Sequence, residues 1–248
     1  MNTLITCATS GMGSQIARAF TEDNLILTGR DRDKLQTLCE FSENSTIPVE
    51  LDFFNPESIQ SAATNIANGG KLDCIVFIIP RIPPSSNIFP SDEEWADLYK
   101  NYFINPLSLL RQLFEANAVN DGAKMVLISG ISSKSALSQY ATNNCLRSAW
   151  LGQAKAMALT LGERRISVNT LSLGGVMTES YTEKMKNKAL SQNISFDELM
   201  RNEVSNVPLQ KYASIDDVVG AVVALLGPLT NHMTGQNIML DGGFFKGY

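Results

Sequence analysis

Short apolar runs alternate with longer stretches of helical spacing along almost the whole chain, and this alternation constrains the fold more than any other feature. The order is "TLIT" then 12–20, "LILTG" then 32–40, "IPVEL" then 56–67, "DCIVFII" then 92–118, "KMVLIS" then 141–162, "ISVNTLSL" then 214–226, and finally "NIMLD". Strands separated by helices run parallel and are joined by crossovers, which place helices on both faces of the sheet. The expected fold is α/β, a doubly wound parallel sheet. With 248 residues, 44% of them hydrophobic, the chain is long enough for one large core and short for two, so 1–248 reads as a single domain. Ligands in such sheets bind beyond the carboxyl ends of the strands, so the residues after each strand carry the functional question.

Charge and cysteine content narrow the partners. A net charge of −5 with no Lys/Arg cluster offers no footprint for nucleic acid and no docking face for a membrane surface. Small-molecule chemistry is the expectation. Cys7, Cys39, Cys74 and Cys145 are scattered without a CxxC pair, which argues against a metal site and fits a reducing cytoplasm. "MNTLITCATS" lacks a basic start followed by an apolar stretch, so no export signal is expected. No run of about 18 apolar residues suggests a membrane span. Two stretches read as irregular, "RIPPSSNIFPSD" at 81–92 and the polar 179–212. The second carries Met185, Leu190, Phe196 and Met200 at roughly helical intervals, which suits a lid with an apolar underside.

The first strand runs into "TCATSGMGSQIA", residues 6–17, a glycine-bearing turn that opens a helix. Gly11 and Gly13 let the backbone approach a pyrophosphate, while the helix N-terminus supplies partial positive charge. Arg30, at the end of the second strand, stands where an adenosine ribose would lie, and a guanidinium there suits a 2′-phosphate. Asp52 closes the third strand, where the adenine edge would come.

With these segments the chain resembles a short-chain dehydrogenase/reductase from end to end. "TCATSGMG" is similar to that family's TGxxxGxG, "LDF" to its adenine-contacting strand end, "ISVNTLSLGGVMT" to its VNxxxPGxxxT, and "MTGQNIMLDGG" to its closing segment. The resemblance implies a Rossmann-type fold and NADP(H) as cofactor, with NAD as the alternative. It also implies that Thr9, Ser10, Met12, Arg30, Asp52, Phe53, Val176 and Thr178 line the cofactor groove beside Gly11 and Gly13. Two departures stand at the groove. Cys7 replaces the first glycine and adds bulk beside the phosphate turn, and "FIIP" at 77–80 replaces the family's NNAG.

At the reacting end the family uses an asparagine, a serine, a tyrosine and a lysine. Counting places these on Tyr102, Gly130, Asn143 and Arg147, all substituted. A carboxamide neither titrates near neutrality nor gives up a proton readily, so Asn143 does not replace the tyrosine. Tyr140 precedes Arg147 by seven residues, roughly two helical turns and a rise of about 10 Å, so a continuous helix would align the two. The enoyl-acyl-carrier-protein reductases of this family carry a Tyr-x6-Lys pair at the same distance, which this sequence resembles with arginine for lysine. A phenol titrates near pH 10 and a neighbouring cation favours the phenolate, so Tyr140 and Arg147 are the expected catalytic pair, with Arg147 also gripping the ribose. Ser129, Ser132 and Ser133 flank the lost serine, and His232 is read as a surface residue.

The implied activity is reduction of a carbonyl or conjugated C=C in a small molecule. The alternatives are a catalytically inactive subunit with an assembly or regulatory role and a non-redox isomerase or cyclase. The long segments 92–118 and 141–162 are expected to pair copies of the chain into homo-dimers or homo-tetramers.

Overall fold

A computed structural model describes residues 1–40 and 44–247. Seven strands are ordered β3-β2-β1-β4-β5-β6-β7: β1 Asn2–Ile5, β2 Asn24–Gly29, β3 Thr46–Glu50, β4 Leu72–Ile78, β5 Val119–Gly130, β6 Ser167–Leu173 and β7 Asn237–Leu240. Every neighbouring pair is parallel. The helices are α1 Gly11–Arg18, α2 Arg32–Cys39, α3 Pro56–Asn68, α4 Asp92–Tyr99, α5 Asn105–Glu115, α6 Ala141–Leu161, α7 Glu179–Gln192, α8 Phe196–Glu203 and α9 Ile215–Leu226. Strand order reverses between β1 and β4, and this reversal opens the crevice in which doubly wound sheets hold ligands.

The sheet is buried on both faces, which explains why its strands read as continuous apolar runs rather than alternating ones. In β4 only Asp73 is not fully buried. One apolar cluster joins α3, α5 and α6 to the sheet through Ile59, Leu109, Leu113, Phe77 and Trp150. The opposite cluster joins α1, α2 and α9 through Ile16, Leu35, Val218 and Val222.

Local chemistry sets the element ends. Ser10, Asp31, Asn55, Ser91, Thr178, Ser195 and Ser214 each cap a helix by accepting a backbone N–H. The segment 92–118, expected as one long helix, is instead α4, a π-helical turn Lys100–Ile104, α5 and a short turn that leads into β5. Pro106 supplies no N–H to continue the α-helical ladder through that region. The stretch 179–212, read as irregular, contains α7 and α8. Its own small core is Met185, Ala189 and Leu199, whereas Leu190, expected on the underside, is 77% exposed.

The apolar "FIIP" stretch leaves no asparagine to tie β4 to its neighbour, and Thr6 takes over that work. Its buried hydroxyl donates to the Ile78 carbonyl at 2.6 Å and accepts from the Ile78 N–H at 2.7 Å. Replacing Thr6 by valine keeps the shape and leaves two buried backbone groups without that partner. Each such group costs about 1–3 kcal/mol. Urea unfolding of Thr6→Val is expected to show a loss of about 2–4 kcal/mol, with Thr6→Ser recovering most of it; an unchanged midpoint contradicts the assignment.

Candidate active site

At the β1 end of the crevice, Ser10 caps α1 by accepting the Gly13 N–H at 2.9 Å. A side chain at Gly13 would collide with the Cys7 carbonyl oxygen, so glycine here permits the tight strand-to-helix turn. Gly11 is the opposite case. A Cβ there would meet nothing within 4 Å, leaving an open approach to the helix N-terminus. Cys7 adopts φ 49°, the left-handed region that glycine enters without penalty and other residues enter at about 1 kcal/mol or more. Its side chain packs against both apolar clusters, and burial pushes the thiol up to about 12 despite the opposing pull of Arg30. The bulk expected beside the phosphate turn is directed into the core.

The neighbouring strand ends supply an arginine on an aromatic shelf. Arg30 is exposed, with its guanidinium 5.8 Å from the Phe54 ring centroid. Phe54 meets Tyr102 edge to face at 5.5 Å. Thr9 packs over Gly29, beside Arg30, and Met12 is half-buried in the first turn of α1. Asp52 accepts the Phe54 N–H through Oδ1 at 3.0 Å. Phe53 turns into the core at 2% exposure, edge to face with Phe77, and its carbonyl accepts Asn105 Nδ2 at 2.8 Å. Tyr102 therefore belongs to the arginine shelf and not to the reacting end. Burial raises its phenol, with Arg30 acting in the opposite direction. The helix asparagine that faces the sheet is Asn105, three residues on.

At the reacting end Arg147 projects from α6 across the end of β5 and donates through Nη1 to Ser132 Oγ at 2.9 Å. Its guanidinium fills the volume that any side chain at Gly130 would occupy. Glycine at 130 thus lets the arginine reach Ser132 without moving aside. Burial lowers the Arg147 pKa, the phenolate form of Tyr140 opposes that shift, and Arg81 reinforces it. Asn143 is fully buried, donating to the Ile82 carbonyl at 3.2 Å while its Oδ1 has no hydrogen-bond partner. The segment around Ile82 therefore lies over the position where the family carries its tyrosine.

Tyr140 and Arg147 do approach one another, although not along the continuous helix that the spacing implied. The helix begins at Ala141, and Tyr140 closes a short 3-10 turn, Ser138–Tyr140, with φ −129° and ψ 40°. Tyr140 is half-buried and lies within electrostatic reach of Arg147, Tyr181 and Tyr212. Thr178 Oγ1 accepts the Tyr181 N–H at 3.2 Å, which seats Tyr181 in the first turn of α7. Tyr181 meets Tyr212 at 5.9 Å, and the Tyr212 ring covers Gly175. Val176 pairs with Ala213 in an isolated bridge. Burial, then Tyr212, raises the Tyr181 phenol, so its hydroxyl stays a neutral donor near neutrality.

Sequence reasoning missed Tyr181, Tyr212 and Arg81. "TESY" held a usable sign, a capping threonine three residues ahead of a tyrosine; Arg81 lies in an aperiodic proline-rich stretch with none. Ser133 Oγ pairs with Ser172 Oγ at 2.9 Å, and Ser172 donates to Asn237 at 2.6 Å, so this serine is tied into the sheet. His232 is exposed. Among the described residues no cluster of His, Cys, Asp or Glu is arranged to hold a metal, and no helix is long and apolar enough to cross a membrane.

The chain belongs to the short-chain dehydrogenase/reductase family, and the member group described as "Enoyl-(Acyl carrier protein) reductase" matches residues 7–245. The NADPH-dependent reductase BacG of Bacillus subtilis is 21% identical over 247 residues, covering 96% of this chain and 95% of BacG. The 3-oxoacyl-[acyl-carrier-protein] reductase FabG of Rickettsia conorii is 26% identical over 251 residues, covering 97% and 95%. A solved structure of L-sorbose reductase from Gluconobacter frateurii, complexed with NADPH and L-sorbose, has a TM-score of 0.88 at 20% identity, with 100% and 97% coverage. That likeness shows the fold.

Burial also decides which thiols react, because the thiolate is the nucleophile. Cys7 at about 12 and Cys74 at about 11 stay protonated at pH 8, whereas Cys145 is exposed on α6. Iodoacetamide at pH 8 followed by peptide mass mapping is expected to modify Cys145 and spare Cys7 and Cys74. Alkylation of Cys7 in the folded protein contradicts the inward placement of its side chain.

Proposed function

We propose that this chain is an NADP(H)-dependent reductase that acts on a carbonyl or conjugated C=C of a small molecule with a non-standard catalytic pair. The observation that carries the reading is the Arg147 guanidinium, held over Gly130 within electrostatic reach of the Tyr140 phenol. The cofactor suits the residues present. Gly11 leaves the α1 N-terminus open, and Arg30 lies on Phe54 with no carboxylate paired to it among the described residues. The names of BacG and of the L-sorbose reductase complex support the same cofactor. In this reading Thr9, Ser10, Gly11, Met12, Gly13, Arg30, Asp52, the backbone at Phe53, Val176 and Thr178 line the groove.

When bound, the dinucleotide supplies hydride. Tyr140 donates its hydroxyl proton to the substrate oxygen as charge develops there, and Arg147 stabilises the phenolate left behind. Arg147 stays protonated, so solvent returns the proton to the half-exposed Tyr140. Tyr181 approaches the same space from α7, which makes 179–212 the lid of a single domain. Two further proposals accompany this one. Ile104 and Leu159, 56% and 73% exposed, support pairing of copies through 92–118 and 141–162. Four free cysteines suit a reducing cytoplasm.

A second reading, a catalytically inactive subunit, draws on Asn143, which is buried under Ile82 where the family tyrosine would act. The two readings separate on turnover. NADPH consumption with a panel of carbonyl and enone compounds is expected for the wild type. Tyr140→Phe is expected to lower kcat by about 100-fold or more with the NADPH Kd unchanged. Saturable NADPH binding with no turnover across the panel supports the inactive subunit instead. Arg30→Ala is expected to weaken NADPH by about 10- to 100-fold, the worth of a charged hydrogen bond of about 1.5–3 kcal/mol, while leaving NADH unchanged. Equal weakening of both nucleotides contradicts recognition of a 2′-phosphate.

A further inference from the structure

Resting on the reductase reading, we infer that the substrate carries a carboxylate beside its reducible group, and that Arg147 and Arg81 bind it. Arg147 is a half-buried guanidinium that donates to a neutral hydroxyl, Ser132 Oγ at 2.9 Å. Among the described residues no carboxylate pairs with it or with Arg81. A cation withdrawn from water without a counter-charge is costly, and a bound anion removes that cost. Arg81, exposed, adds a second cation within electrostatic reach of Arg147. It precedes Ile82, whose carbonyl accepts from Asn143, and Asn143 lies one helical turn before Arg147 on the same side of α6. Glu203, the acid nearest the lid tyrosines, is held by Lys188 at 2.7 Å and neutralised there.

The cofactor's own phosphates do not fill this role. The α1 N-terminus that suits them follows β1, and β4 separates β1 from β5, where Arg147 lies. Two strand spacings amount to about 10 Å. Nη1 of Arg147 is engaged by Ser132, which leaves its Nε and Nη2 donors to serve both the ribose hydroxyls of the cofactor and a carboxylate oxygen of the substrate. Beside the anion stands the Tyr140 hydroxyl, a donor to a neighbouring oxygen, while the neutral Tyr181 phenol donates its own hydrogen bond to Tyr212. The simplest substrate class is a 2-oxo acid. Reduction adds hydride from NADPH to the keto carbon and a proton to its oxygen, which yields a 2-hydroxy acid and NADP⁺.

The test compares acids with their neutral twins. Pyruvate, 2-oxobutyrate and phenylpyruvate, each beside its methyl ester, are titrated calorimetrically into the protein with and without saturating NADP⁺, and the same six compounds are offered with NADPH. At least one acid is expected to bind 10-fold or more tightly than its ester. Arg147→Gln and Arg81→Ala are each expected to reduce that preference about 10-fold, with Arg147→Lys restoring part of it. Arg81 is exposed, so its variant keeps the test decisive if Arg147→Gln fails to fold. The inference is overturned if esters bind as tightly as acids, if the preference survives both substitutions, or if no acid binds at millimolar concentration. Failure of the reductase reading looks different: NADP⁺ and NADPH give no heat, whatever the acid-to-ester ratio on the free protein.

Discussion

Two groups cannot share one volume, and at the end of β5 that volume belongs to the guanidinium of Arg147. A Cβ at 130 would overlap the guanidinium atoms as they lie, so any larger residue there makes the tip of Arg147 move aside. From this exclusion the rest of the site follows. With no side chain at 130, Ser132 becomes the hydroxyl that anchors the cation, and Tyr140 becomes the phenol closest to it in charge. Asn143, left without a chemical task, sinks beneath Ile82 and ties the proline-rich segment to α6.

The sheet positions these groups because it is rigid where they attach. β4 and the 125–128 stretch of β5 are buried on both faces, and the Thr6 hydroxyl binds β1 to β4 through both the N–H and the carbonyl of Ile78. The strand ends therefore present Gly11, Arg30, Asp52 and Gly130 along one edge. Above that edge α7 and α8 hold a separate small core of Met185, Ala189 and Leu199. Tyr181 and Tyr212 are thus carried by a unit packed largely on itself, fastened near Thr178 and the Val176–Ala213 bridge.

The apolar runs made the sheet legible, because strands covered on both sides show their burial directly in composition. The places of Arg30 and the glycine turn were legible for a related reason, since each lies just past a strand. Tyr140 and Arg147 were found by spacing, yet the continuous helix assumed for them does not exist: α6 starts at Ala141, and a 3-10 turn delivers Tyr140 instead. Tyr102, counted to the family's asparagine position, sits in a π-helical turn against Phe54, and no local residue pattern marks such a turn. The lid showed in apolar residues at helical intervals, but not where its two helices begin and end, because one of those residues, Leu190, is exposed and few others are buried. Arg81 was invisible for want of any period at all.

The mutual exclusion at Gly130 is tested most directly by a double-mutant cycle read by urea unfolding. Gly130→Ala displaces the guanidinium from Ser132 in the natural chain, whereas the slimmer ammonium of Arg147→Lys leaves room for the added methyl group. The account predicts that Gly130→Ala costs about 1–2 kcal/mol beside Arg147 and close to nothing beside lysine, a coupling of about 1 kcal/mol or more. Additive effects, with a coupling under about 0.3 kcal/mol, contradict it.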